Sequence, residues 1–262
     1  MKKTILAALA MVLMTFTGNA QAPDYISDGA LLDGKTIVKA DVMGLGLRNF
    51  SFSAERVINK NLSINLGIRF MPEGGIPGLS LIEKQIGDVE GIFLADTKIN
   101  SFAFTPELRI YLGKYGYGRG FYIAPYYNYF GFNLSNLKVE YEVKNALGQK
   151  ETENVILDGG IKTHSGGLMF GYQWLVGAKK NIVIDWGIFG VHAGKSTGEL
   201  NGLSSRTLTT DEQETVKETI DDNLSKVPFF KFTSTVNAKD VKIEEKGPWG
   251  FIRGSLSIGF RF

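Results

Sequence analysis

Hydrophobic and polar positions alternate with a period of two over eight stretches of the chain. That period is the mark of strands whose two faces meet different surroundings. The last stretch is the clearest: Ile252, Leu256, Ile258, Phe260 and Phe262 fall on one side, and Arg253, Ser255, Ser257, Gly259 and Arg261 on the other. The other strands are predicted at 37–45, 49–58, 62–70, 102–112, 121–132, 165–176 and 182–192. In 62–70, Leu62, Ile64, Leu66, Ile68 and Phe70 oppose Ser63, Asn65, Gly67 and Arg69 without a fault. Pro106 lacks a ladder donor, which predicts a bulge or local break in the fourth strand. The predicted fold is all-β, an eight-stranded antiparallel transmembrane β-barrel.

The connections alternate in length. Those after the second, fourth and sixth strands are short polar or glycine-rich turns. Those after the third, fifth and seventh, at 71–100, 133–163 and 193–247, are long. Short turns at one end and long loops at the other, with an even strand count, suit a membrane barrel with both termini in the periplasm. In the longest connection Thr210-Asp211-Glu212-Gln213 reads as a capping box for a helix over 211–224, ending before Pro228. Val216, Ile220 and Leu224 give that helix a thin apolar stripe, to be laid over the barrel mouth or offered to a partner. The segment 79–93 reads equally as a short helix or an extra hairpin.

Alternation does not say which face is inside, since a soluble lipocalin-like barrel has the same period. The polar face decides for the membrane. It carries small or amide residues such as Ser51, Ser53, Asn65, Gly67, Gln173 and Ser257, where a solvated face favours Lys, Glu and Thr. Trp174, Trp186, Tyr127, Tyr129, Phe260 and Phe262 sit on the apolar face near strand ends, as lipid-interface aromatics do. Lys39, Asp41, Glu55, Arg69, Glu107, Arg109, Asp185, Arg253 and Arg261 then share the lumen. Buried charges are costly unless paired, so a salt-bridged plug is expected rather than an ion path.

Composition adds the compartment. Residues 1–20 carry Lys2, Lys3, an apolar run from Ile5 to Phe16 and small residues up to Ala20. They are expected to be a cleaved signal peptide, with 21–35 a periplasmic leader and 36–262 the barrel. An uncleaved anchor helix is the alternative. Removing the two lysines leaves 27 basic against 27 acidic residues, a balance that argues against nucleic-acid binding. With no cysteine and two histidines, no metal or cofactor is expected. His164, Ser165 and His192 are the only residues worth weighing for catalysis. Adjacent His164 and Ser165 point to opposite faces of a strand, and no acid is placed to orient either ring.

The quoted stretches, with Lys39-Ala40-Asp41-Val42, Asn49 to Arg56 and Gly120 to Tyr126, resemble small outer-membrane barrels of the OmpA/OmpX type and the uncharacterised outer-membrane β-barrel proteins. The resemblance implies a bacterial outer-membrane location in contact with its lipids. It also implies recognition of the terminal strand, closing on Phe262, by the outer-membrane assembly machinery. The family includes accessory subunits of envelope complexes, which points to a partner envelope protein at the long loops. The expected role is structural, adhesive or complex-accessory, and not enzymatic. The alternatives are a lipid A-modifying hydrolase using the rim histidines, which outer-membrane deacylases loosely resemble, and a narrow ion channel.

Overall fold

The structure, a computed structural model, describes residues 34–80, 92–144, 150–204, 206–225 and 231–262. The expected export segment, nearly all of the leader and most of 79–93 lie outside them. Ten antiparallel strands form one sheet: β1 (Thr36–Asp41), β2 (Phe50–Val57), β3 (Leu62–Gly75), β4 (Ile92–Phe93), β5 (Lys98–Tyr111), β6 (Gly120–Lys144), β7 (Lys150–Val176), β8 (Ile182–Ser204), β9 (Phe232–Val236) and β10 (Asp240–Arg261). One helix, α1 (Thr210–Ser225), lies between β8 and β9. Among the described residues no helix is long and apolar enough to cross a membrane.

The sheet is ring-like because its first strand pairs with its last, Val38 opposite Phe260 and Ala40 opposite Ile258. That circuit passes through β1, β2, β3, β5, β6, β7, β8 and β10. The strand count nevertheless exceeds eight: β9 adds to the far end of β10, and β4 to β6. β9 lies in a stretch expected to be a long connection, and β4 in 79–93, which reads from sequence equally as a short helix or an extra hairpin. Pro106 breaks the ladder without bulging it. Phe104–Tyr129 and Glu107–Tyr126 flank it in one register. The first strand is shorter than expected, stopping at Asp41 before a 3₁₀ turn over Leu45–Leu47.

The larger correction concerns the long connections. β6 and β7 run on until only 145–149 separates them, and β8 and β10 extend likewise, so 133–163 is mostly strand and 193–247 carries strand at both ends with the helix between. The reason is visible on β10. Its odd residues face inward along the whole strand, passing from buried Val241 and Ile243 down to Arg253, Ser255, Ser257 and Arg261. Its even residues face outward, passing from Lys242, Glu244 and Lys246 down to exposed Ile252, Leu256, Ile258 and Phe260. The strand stays amphipathic, but its apolar face changes sides. β7 does the same: Val155 and Leu157 are buried inside where Lys162 is exposed outside, and lower down Gln173 is inside where Leu168 is exposed.

On the inward face of these extensions, Val139, Tyr141, Val155, Leu157, Leu200, Val241 and Ile243 form an apolar core. Helix α1 packs its Val216–Ile220–Leu224 stripe into that core. The stripe is thus packed against the inward face of the strand extensions and not offered to a partner. The capping box sits one residue earlier than expected. Thr209 N–H donates to Glu212 Oε2 at 2.8 Å, and Glu212 N–H to Thr209 Oγ1 at 3.4 Å.

Candidate functional site

Register and alternation bring six charged side chains to one level inside the ring. Lys39 Nζ donates to Glu55 Oε2 and Asp185 Oδ2, both at 2.7 Å, and to Gln173 Oε1 at 2.9 Å. Arg109 Nη1 reaches the same carboxylates, at 2.6 Å to Asp185 and 3.2 Å to Glu55, and its Nη2 holds Glu107 at 3.0 Å. Arg253 Nη1 lies 2.9 Å from the other Glu107 oxygen. Three cations thus meet three carboxylates. Neutral donors add to these contacts, as a buried network requires. Ser63 and Tyr111 hydroxyls donate to Glu55 at 2.6 Å, Tyr122 to Asp185 at 2.9 Å, and Asn65 to Glu107 at 3.0 Å.

Local sequence makes this possible. Asn65 stands opposite both Glu55 and Glu107, and Gln173 opposite Asp185. Tyr122 can cross the interior because Gly171 faces it: a Cβ there would lie 2.3 Å from the Tyr122 ring. Arg109 stacks on that ring at 4.4 Å. Below the network the 112–119 connection folds across the end of the ring. Gly118, at φ +80°, brings its carbonyl within 2.7 Å of Gln173 Nε2, and Tyr117 N–H donates to Lys60 O. The left-handed conformation there is one that glycine adopts without penalty.

Three of the nine charges named from sequence stand apart. Asp41 accepts the Met43 amide at 2.8 Å and closes the β1–β2 turn. Arg261 donates to Tyr117 O at the lower end. Arg69 lies above the network, 5.5 Å over the Phe130 ring. Gln173, which the sequence places only on the polar face, belongs to the network, as do Tyr111 and Tyr122. Their inward parity was the one available signal, and it carries no height along the axis.

Above the network a cavity of about 480 Å³ opens at the upper end. Asp41, Arg69, Asn128, His192, Trp249 and Arg253 are among the residues lining it. His192 Nδ1 is 3.0 Å from Tyr126 OH on the inner face, whereas His164 Nδ1 is 2.5 Å from Tyr127 OH on the outer face. Ser165 Oγ donates to Asn128 O inside. The sheet therefore separates the two histidines, and His164 from Ser165. Among the described residues no group of three His, Asp or Glu side chains could hold a metal.

The outer aromatics fall at two levels. Tyr127 and Tyr129 lie beside His164, whose row already carries the outward Lys195, with Lys162 one row further. Trp174, Phe260 and Phe262 lie toward the other end, with Trp186 one row further in, opposite Leu256.

A family model described as protein of unknown function (DUF3575) matches residues 6–197. The crystal structure of Acinetobacter baumannii CarO2 aligns at 15% identity over 82% of this chain and 98% of that chain, with a TM-score of 0.31. No curated protein matches.

Proposed function

We propose that this chain, which belongs to the DUF3575 family of proteins of unknown function, is an integral β-barrel of the bacterial outer membrane. Its lumen is plugged, and its role is structural, adhesive or complex-accessory rather than enzymatic. The observation that carries this reading is the exchange of faces along single strands. In the ring, apolar side chains such as Ile64, Leu66, Ile68, Phe104 and Ile258 are 39–53% exposed on the outside while charges are buried within. In the extensions most charges are outside and the inward face is largely apolar, with Glu245 buried there on Ser196 as the exception. Water around the whole molecule would favour the second arrangement everywhere; hydrocarbon around the ring favours the first there.

The height of the belt agrees. On β7 the outward face is free of charge from Gly166 to Val176, about 33 Å along the strand at ~3.3 Å per residue. Tilted by roughly 40°, that covers an apolar band of about 25 Å. The aromatics near both edges match the interfacial preference of Tyr and Trp. The extensions carry the molecule's polar outer surface beyond that band, and binding on a rigid barrel is borne there.

The test is expression of the full chain in a Gram-negative host. It is expected in the outer-membrane fraction, soluble only with detergent, and with a different gel mobility before and after boiling. A mature protein that stays monodisperse in detergent-free buffer overturns the reading. Affinity capture from solubilised envelopes then separates the roles: an accessory subunit brings a stoichiometric partner, and a solitary adhesin or structural protein does not.

A further inference from the structure

Several outward charges on the strand extensions are answered by opposite ones. Lys242 Nζ holds Glu199 at 3.1 Å and Glu244 at 3.0 Å, Lys138 holds Glu140 at 2.6 Å, and Arg206 holds Glu212 at 2.6 Å. Lys162 and Lys195 differ. Both are exposed on the outer face, and among the described residues neither has a carboxylate at ion-pair distance. Lys246, its side chain 76% exposed, reaches Glu244 only at 3.7 Å, and Lys242 already holds that carboxylate. Register sets these three lysines side by side. Lys162 and Lys246 both stand opposite Thr197, and Lys195, two residues along, stands opposite His164 and Pro248. Lys195 is thus a diagonal neighbour of the other two, at the roughly 7–8 Å such positions keep. From β6 to β10 their two rows hold no carboxylate: Tyr129, His164, Lys195 and Pro248 make one, and Gly131, Lys162, Thr197 and Lys246 the other.

Toward the belt, the next row of the outer face is almost without side chains. Gly166, Ala193 and Gly250 stand in it, with Tyr127 at its β6 end. A Cβ on Gly166 would meet nothing nearer than 4.0 Å. The row after that restores large apolar groups, Leu168, Val191 and Ile252, all exposed. A shallow depression therefore lies between a cationic rim and the apolar belt. Tyr127 and Tyr129 border it on the β6 side, where His164 is held on the Tyr127 hydroxyl. The whole patch is at the end of the ring away from Thr36 and Phe262.

We propose that this patch seats a phosphorylated lipid of the outer leaflet. Its phosphate lies among Lys162, Lys195 and Lys246, and an acyl chain runs down over Gly166 and Ala193 onto Leu168 and Val191. Charge complementarity selects the head group: a phosphate brings the negative charge that these lysines do not find in the fold, and ammonium groups bind it as point charges. Position selects the lipid. The cations stand in the first two rows above the row that opens the apolar belt, where a head group meets its chains and where basic side chains attract anionic lipid. This seating rests on the membrane reading, because the belt is defined by its contact with hydrocarbon.

The test uses the full mature chain in a non-ionic detergent. Bis-phosphorylated lipid A is titrated in and its adducts are followed by native mass spectrometry, with the fully dephosphorylated lipid as the uncharged counterpart. A saturable adduct with the phosphorylated lipid is expected, weakened roughly tenfold or more in Lys162→Gln/Lys195→Gln. Lys179→Gln/Lys180→Gln removes the same charge from the turn between β7 and β8 at the opposite end, and is expected to bind as the unaltered protein does. Ala193→Leu, which fills the depression and leaves every charge in place, is expected to weaken binding. Equal binding of the dephosphorylated lipid overturns the proposal. So does an unchanged affinity in Lys162→Gln/Lys195→Gln or in Ala193→Leu, or an equal loss in the turn variant. Inorganic phosphate that displaces the lipid as well as unlabelled lipid does overturns it in favour of a free-anion site. Solubility without detergent, measured on the same preparation, would instead strike the membrane reading, so the two failures are distinct.

Discussion

At the scale of single residues, the interior is decided by pairing. Glu55 is fully buried and receives Lys39, Arg109, Ser63 and Tyr111. Glu55→Gln keeps the shape and removes the charge, leaving two cations to share Asp185. Removing one partner from a buried pair typically costs about 3–5 kcal/mol, because the remaining charge stays desolvated. Equilibrium unfolding in detergent, followed by the gel-mobility shift, is expected to show that order of loss; a change under about 0.5 kcal/mol would mean the network is hydrated. Which residues share a face was legible from parity, and the small and amide residues of the polar face turned it inward, at Lys39, Glu55, Glu107, Arg109 and Asp185. Who pairs with whom was not. Lys39 and Asp185 are 146 residues apart in sequence, and their meeting depends on heights that only the register of the closed ring fixes. The same parity correctly set His164 and Ser165 on opposite faces. His164→Ala and His192→Ala are each expected to leave the lipid A profile of the host unchanged, and a shifted profile would reinstate the hydrolase.

At the scale of elements, the lower strands were legible and their upper halves were not. A search for apolar-outside alternation fails above the belt because the apolar face has moved inside. On β6 a register shift between Leu134 and Leu137 disturbs the phase as well. Helix α1 was legible from its stripe, and its packing was not, because the surface it covers belongs to strands read as loop. Ile220, 3% exposed, lies in the middle of that packing. Ile220→Asp buries an unpaired carboxylate, and the helix is expected to detach, with trypsin cutting at Arg206 or Lys217 while the ring keeps its mobility shift. Uncut protein would mean the helix is held otherwise. Its first turn responds to acid. The Arg206 guanidinium, and then the Thr209 amide, hold the Glu212 carboxyl below its usual 4.5. A depressed folded value means the contribution is complete above about pH 4.5 and is lost as pH falls below it. Amide protection in 209–213, corrected for the intrinsic exchange rate, is expected to fall there, and to show no such step with pH in Glu212→Gln.

At the scale of the whole molecule, the question is whether a ring of this size leaves a path through. A closed circuit of eight strands has an interior that side chains can fill. Here it is filled at successive heights. Arg69 stands at the mouth, the six-membered charge cluster with its tyrosines lies beneath and reaches the mouth through Arg253, and Ile37, Val57 and the Gly118 turn lie below that. An ion crossing would have to part Lys39 and Arg109 from carboxylates 2.6–2.7 Å away. Planar-bilayer recordings of the full protein are therefore expected to show no steps above baseline. The informative contrast is a variant with Lys39→Ala, Glu55→Ala, Arg109→Ala and Asp185→Ala. It removes two charges of each sign and empties that level while leaving the outer belt intact. Small steps in this variant alone would place the barrier in the network. Steps in the unaltered protein would make the charges a conduction path. Silence in both would assign the seal to the lower layer, where the Tyr117–Gly118 turn is tied to Lys60, Gln173 and Arg261 by three hydrogen bonds independent of the four deleted charges.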